Sequence, residues 1–376
     1  MTSEERREAR YRRRAIKRHE KKIEASADHD NYQKVFSYGN LYKAYRCCGR
    51  NVAWKASVQR YITQAPIRVE KTYRDLMSGR WRSKGFFEFD VRERGKTRHI
   101  QSVTIDERVV QRCLCDNALV PVLSRSLIHD NGASLKDKGY SFTVRRLEQH
   151  LEEHIRKHGP NGYVLLFDFR KFFNSIPHEV CSKAIRKAFS DERIINLTEH
   201  FIGMFGDRGL GLGSQISQVF ALAAANRLDH FIKEICRIRA YGRYMDDGYL
   251  IHKDPDVLRK ALDGIRRVCG ELGLTLNADK TRIVPLRRGF TFLKIRFQIT
   301  GTGRIIRKMP KSSITRMRRK LKSYSRLMRN GKMAWRDIQA SWQSWKSYAL
   351  KFDSYHAVRN MTWLYNELFV CQNRQI

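Results

Sequence analysis

The stretch YVLLFDFRKFFNSIPH (163–178) decides how this chain is read. Asn161-Gly162 before it is a turn signal, and YVLLFDF (163–169) is a continuous apolar run of buried-strand length, broken only by Asp168. A carboxylate at the end of an apolar strand is costly unless it is paired or bound to a cation. A second string, RYMDDGYLIHK (243–253), sets Asp246 and Asp247 between β-rich flanks, which suits a hairpin tip. An ordinary acidic turn is the alternative. Carboxylates on two separate strands are the raw material of a two-metal site. Mg²⁺ is a hard ion that takes carboxylates and substrate phosphates, and two such ions about 4 Å apart activate a hydroxyl and stabilise a leaving group.

Working outward, GFFEFDVRERGKTRHIQSV (85–103) alternates around Gly95 and reads as a hairpin. Helical spacing is expected in 106–123, 143–158, 178–190, 192–205, 215–238 and 254–272, with strands in 274–284 and 290–299. His150, His154 and His158 share one helix face and read as a solvated or RNA-facing stripe rather than a metal site. Towards the C-terminus, Ile314, Met317, Leu321, Tyr324 and Met328 form one apolar stripe, and Trp335, Ile338, Trp342, Trp345, Ala349 and Phe352 a second. Residues 1–28 carry ten cations and almost no apolar side chain, which fits a solvated helix or an RNA-gripping arm.

Across 376 residues, 75 Lys+Arg against 38 Asp+Glu give a net charge of +37. That balance calls for a polyanionic partner, nucleic acid before membrane. Hydrophobic content of 41% is enough for a sizeable core and excludes whole-chain disorder. No apolar run approaches membrane-spanning length, and MTSEERREARYRRR has no apolar stretch, so neither a span nor a secretory signal is expected. The eight cysteines are scattered without a CxxC and read as reduced cytoplasmic thiols.

FDFRKFF (167–173) with YMDD (244–247) resembles motifs A and C of reverse transcriptases. GLGLGSQISQVFA (209–221) resembles motif B, LTLNADKTRIV (274–284) motif D, and GFTFLKIRF (289–297) the primer grip. KTRHIQSVTIDERVVQ (96–111) and GASLKDKGYSFTVRRLEQHL (132–151) resemble the two fingers blocks, all in the family's order. The resemblance implies a right-hand α+β polymerase with fingers, an antiparallel palm and a helical thumb. It implies metal ligation by Asp168, the Phe169 carbonyl and Asp246, with Asp247 close by and two Mg²⁺ ions, Mn²⁺ being an alternative. Lys280 falls at the motif D lysine, a proton donor to pyrophosphate. Lys96 and Arg98 would meet the incoming dNTP, Phe173 would gate the sugar, and Tyr244 and Met245 would touch the primer end. For Phe173 a core aromatic, and for Lys96, Arg98 and Lys280 a solvated surface, are the plainer readings. Motif B departs from the common Q-G-x-x-x-S-P: here Leu212 precedes Gly213, and Ser217 is followed by Gln218. That form resembles diversity-generating-retroelement and defence-associated bacterial enzymes.

The domains expected on this basis are a basic arm (1–28), fingers (29–160), palm (161–305) and thumb (306–376). The partners expected are a non-coding RNA serving as template and scaffold, a cDNA and its RNA–DNA duplex, dNTPs, and no membrane; a homo-oligomer is left open. Antiphage defence is the leading biological role. Mutagenic copying in a diversity-generating retroelement, or a catalytically silent RNA-binding scaffold, are the alternatives.

Overall fold

The structure is a computed structural model that describes residues 2–93 and 95–370. The chain forms two compact units. One comprises the chain up to Gly139, Phe169–Ile235 and Gly264–Leu276; the other comprises Tyr140–Asp168, Cys236–Asp263 and Asn277–Ile376.

The first unit is mostly helical. Its first helix, Ser3–Ser26, opens with a capping box: the Glu5 N–H donates to Thr2 Oγ1 (3.2 Å) and the Thr2 N–H to Glu5 Oε2 (2.7 Å). Helices Tyr38–Gly49, Ala65–Met77 and Ile105–Leu114 bury Leu41, Val69, Leu76, Val109, Val110 and Leu114. Strands β1 (Phe87–Glu93) and β2 (Lys96–Ser102) form the expected hairpin, with Glu93 opposite Lys96 and Gly95 at φ +78° in the loop. The helix expected over 215–238 is broken into Gln215–Ala224 and Asn226–His230, ending in a wide turn at Phe231–Ile235. The break falls at Ala225, whose φ of −90° and ψ of 1° leave the helical region.

The second unit holds an antiparallel sheet with the strand order β4–β5–β3–β6. Its strands are β3 (Tyr163–Asp168), β4 (Tyr241–Tyr244), β5 (Asp247–His252) and β6 (Arg282–Pro285). β3 is paired on both sides, by β5 and β6, and successive residues from Val164 to Asp168 are buried, so both its faces are covered and the run up to Phe167 is apolar rather than alternating. A smaller antiparallel sheet follows, made of β7 (Phe290–Phe292), β8 (Ile295–Ile299) and β9 (Ile305–Lys308). One core joins both sheets to the helix Tyr140–His158 through Leu147, Leu151, Val164, Tyr249, Phe292 and Phe297.

Two expectations are corrected here. The strand expected over 274–284 survives only as Arg282–Pro285, because Asn277 starts a turn: its carbonyl accepts from the Lys280 and Thr281 N–H groups. The histidine stripe is solvated only at His158, which is exposed. His150 and His154 are buried; His150 Nδ1 meets the Tyr249 hydroxyl at 3.0 Å, and His154 Nε2 meets the Asn161 carbonyl at 2.7 Å. At the C-terminal end, helices Lys311–Arg329, Trp335–Ala349 and Tyr355–Phe369 close on a core of Met317, Leu321, Ile338, Trp342, Met361 and Tyr365. Trp342 stacks on Tyr365 at 4.8 Å between ring centroids, so that aromatic stripe is packing. Its first helix presents Arg316, Arg318, Arg319, Lys320, Lys322, Arg326 and Arg329 outward and carries no acidic residue. No helix among the described residues is long and apolar enough to cross a membrane. The seven described cysteines are unpaired, and Cys371 lies outside the described residues.

Candidate active site

The sheet register builds the acidic cluster. Asp168 ends β3 directly opposite Asp247, and Asp247 pairs in turn with Tyr244. Directly paired residues share a face, so Asp168, Asp247 and Tyr244 line one side of the sheet. The next row, Phe167, Gly248 and Arg243, lines the other. Gly248 has to be a glycine: a Cβ there would lie 2.2 Å from the Phe167 ring. Met245 and Asp246 form the two-residue loop between β4 and β5. Met245 sits at φ +53°, the left-handed region, which costs a non-glycine residue about 1–2 kcal/mol.

Asp168 is buried and forms an ion pair with Lys280, Nζ to Oδ2 at 2.6 Å. Lys280 reaches it because the Asn277 turn lies alongside: the Asn277 N–H donates to the Asp168 carbonyl at 2.7 Å. This contact raises the Lys280 ammonium above its ordinary range, the Asp168 hydrogen bond being the main cause. Burial raises Asp246, and the Asp168 charge adds to it. Burial, then the charges of Asp246 and Asp168, push Asp247 up to about 7. The cluster is thus short of positive charge. Among the described residues no three carboxylate, imidazole or thiol groups converge as closely as a bound ion would draw them; Lys280 is the cation that Asp168 meets. The donor set, hard oxygen ligands around one buried carboxylate, fits a divalent cation of the Mg²⁺ class.

The other sequence-selected residues fall in the first unit or at its border. Phe169 follows Asp168, is buried, and stacks on Phe172 at 4.7 Å. Phe172 is buried as well, whereas Phe173 is only partly so. Gly213, at φ +115°, is exposed, and the preceding Leu212 carbonyl accepts from the Gln101 N–H at 3.2 Å, docking this loop on β2. Ser217 is fully buried, and its hydroxyl has no hydrogen-bond partner. Gln218 is exposed and accepts from Ser134 Oγ at 3.0 Å. A cavity of about 870 Å³ opens here, lined by Arg108, Arg112, Lys136, Gly213, Gln215 and Gln218. Arg98 is exposed on β2; the Lys96 side chain lies outside the described residues.

Sequence reasoning missed Arg243. It is fully buried and donates from Nη1 to the Met245 carbonyl at 2.7 Å. The available signal was a lone cation inside the apolar strand Tyr241–Tyr244, two residues before the acidic loop.

An antiparallel sheet with one carboxylate at the end of a doubly paired strand and two more on the adjoining hairpin agrees with the polymerase class of nucleotidyltransferase. The family model described as "Reverse transcriptase (RNA-dependent DNA polymerase)" matches residues 84–297, more than half of the chain, and the chain belongs to that family. It is 25% identical over 284 residues to Protein YkfC of Escherichia coli (strain K12), covering 63% of this chain and 73% of that protein. Similar solved structures include telomerase from Candida albicans in complex with a TWJ fragment of telomeric RNA. That match has a TM-score of 0.48 and 12% identity, over 65% of this chain and 51% of that one. Apo telomerase from Candida tropicalis gives a TM-score of 0.46 and 14% identity, over 60% of this chain and 48% of that one. The chain spans about half the length of these telomerase chains.

Proposed function

We propose that this chain copies an RNA template into DNA, with Asp168, Asp246 and Asp247 as the carboxylates that hold its metal ions. The observation that carries the reading is the register that sets Asp168 against Asp247, with Asp246 in the adjoining loop. Asp168, Asp246 and the Phe169 carbonyl, with Asp247 beside them, would hold two Mg²⁺, or Mn²⁺ in their place. When bound, such ions activate the primer 3′-hydroxyl and neutralise the leaving pyrophosphate.

The chain's own residues do the rest. Lys280 leaves Asp168 and gives its proton to the departing pyrophosphate; its raised pKa keeps it charged until then. Lys96 and Arg98 bind the triphosphate of the incoming dNTP by charge-assisted hydrogen bonds. The Phe173 ring blocks a ribose 2′-hydroxyl, and the burial of neighbouring Phe172 supports this choice of ring. Gly213, Ser217 and Gln218 border the templating base pair, and Tyr244 and Met245 meet the primer end. The arm is residues 1–28, the fingers 29–160, the palm 161–305 and the thumb 306–376. The acid-free helix Lys311–Arg329 lies along the duplex backbone.

The template is a dedicated non-coding RNA that stays bound with its cDNA, in the cytoplasm, as part of an antiphage-defence system. Leu212 and Gln218 in motif B favour one second reading, mutagenic copying in a diversity-generating retroelement. Sequencing the nucleic acid that co-purifies with the protein separates the two roles, since only mutagenic copying yields cDNA rich in substitutions.

The catalytic reading is tested with Asp246→Asn. Primer extension is expected to fall by more than about 10²–10³-fold, since even one lost electrostatic element costs that much, while RNA binding in a filter assay stays within a few-fold. Near-normal extension by the mutant sinks the assignment.

A further inference from the structure

Arg243 is unlike every other cation described in this chain. Among the described residues it is the only lysine or arginine that is buried, with no exposed surface. A guanidinium is not taken out of water without a reason, because the loss of hydration has to be balanced by fixed partners. One of those partners is the Met245 carbonyl, 2.7 Å from Nη1. Met245 is the first residue of a two-residue loop and stands at φ +53°, a conformation that such loops normally give to glycine or asparagine. The next residue is Asp246.

The register shows where the contact acts. Arg243 lies in the row of Gly248 and Phe167, the opposite face from Asp168 and Asp247. It therefore reaches the loop from beneath, without entering the acidic face. The Met245 carbonyl belongs to the same rigid peptide plane as the Asp246 nitrogen. Fixing that oxygen fixes the plane, and the plane sets the direction in which Asp246 leaves the hairpin. A carboxylate that must share an ion with Asp168 needs such support, because misplacement by about 1 Å costs on the order of 10²-fold in rate.

We propose that Arg243 is a positioning residue. From the buried face it holds the Met245–Asp246 peptide in its left-handed loop and so aims the Asp246 carboxylate at Asp168. The proposal rests on the polymerase reading given above.

The experiment compares Arg243→Lys, Met245→Gly, the double variant and Asp246→Asn. It uses the full chain, single-turnover primer extension, dNTP titration and thermal melts. Arg243→Lys keeps the charge and loses the planar fork. It is expected to melt within a few degrees of the parent, to lose about 10²-fold in the rate at saturating dNTP, and to leave the dNTP KM within about threefold. Glycine adopts φ +53° unaided, so Met245→Gly makes the loop less dependent on Arg243. The loss caused by Arg243→Lys in that background is expected to shrink at least several-fold. A residue needed only for core stability shows no such coupling. An unchanged rate in Arg243→Lys, or losses that simply multiply, overturns the proposal. If Arg243→Lys does not fold, Arg243→Gln replaces it; loss of the cooperative melt in both also overturns it, since the core rather than the loop then needs the residue. Activity retained by Asp246→Asn is the separate failure of the polymerase reading itself.

Discussion

The hairpins β1–β2 and β4–β5 each reverse through two residues and each place a left-handed residue in the loop, yet they are held in different ways. In β1–β2 that residue is Gly95, and Phe87, Phe89 and Val91 are 51%, 45% and 41% exposed along the strand. In β4–β5 it is Met245; the strands are buried, and a buried guanidinium grips the loop. The first hairpin takes the shape of its turn from local chemistry, a glycine and seven paired positions, and meets the Leu212 loop only further along β2, at Gln101. The second is fixed by tertiary structure, which overrides local preference so that two carboxylates stand beside a third. On the function proposed above, the first hairpin carries charge toward a mobile substrate and tolerates exposure. The second then carries metal ligands and has to be rigid, a demand that its strained loop would meet.

The sharpest contrast between them is in their response to pH. Asp247 is raised from 3.8 to about 7 by burial and by its acidic neighbours. The folded state therefore binds a proton more tightly than the unfolded chain does. Its contribution to stability is present in full below 3.8 and is lost as pH rises through about 7. Each pH unit in that window removes up to about 1.4 kcal/mol. In EDTA, the parent is expected to lose stability between pH 4 and pH 7 relative to Asp247→Asn, as read from urea midpoints. Parallel curves would show that the cluster does not hold its proton. The outer hairpin has its own titrating group, His99, 3.0 Å from Asp90 and 3.2 Å from Glu88. Those side chains are exposed, and their effect is screened by salt.

A smaller effect follows from packing. Gly248→Ala drives a methyl to 2.2 Å from the Phe167 ring, between two paired strands that cannot separate. Overpacking of this kind costs about 1–3 kcal/mol, and a lower urea midpoint is expected. Because the displaced strand end carries Asp168, the extension rate is expected to fall as well. A variant with full stability and full rate would mean that the β3–β5 pairing is more compliant than its register implies.

How much of this was legible in the sequence follows the same division. The hairpin at Gly95 and the apolar strand ending in Asp168 were readable, because period and turn chemistry are local signals. The place of Asp246 and Asp247 at a hairpin tip was readable for the same reason. Lys280 falls within the strand expected over 274–284; that Asn277 would turn the chain instead depends on where it docks against Asp168. His150 and His154 looked solvated because charges flank them. The better signal was their spacing from Thr143, Val144, Leu147 and Leu151, which puts them on the buried face of that helix. Arg243 was invisible to reasoning that expects cations at the surface, since only the fold shows what it holds.

The smallest expected effect lies in the outer hairpin and checks that its simplicity is real. At Gly95 an added Cβ meets nothing within 4 Å, so Gly95→Ala has no packing cost. What remains is backbone: φ +78° is a conformation that alanine adopts at a cost of about 1 kcal/mol. The seven cross-strand pairs from Phe87–Ser102 to Glu93–Lys96 still fix the register, so a slip that would turn Arg98 to the other face is not expected. Gly95→Ala should therefore lower the melting temperature by about 2 °C and change the dNTP KM by less than about threefold. Gly248→Ala in the same assay should do more on both counts. If Gly95→Ala instead proves the more damaging of the two, the turn of the outer hairpin is not set by local chemistry alone. It would then serve a nucleic-acid contact or a tertiary contact beyond the one at Gln101, and the contrast between the two hairpins would have to be drawn the other way.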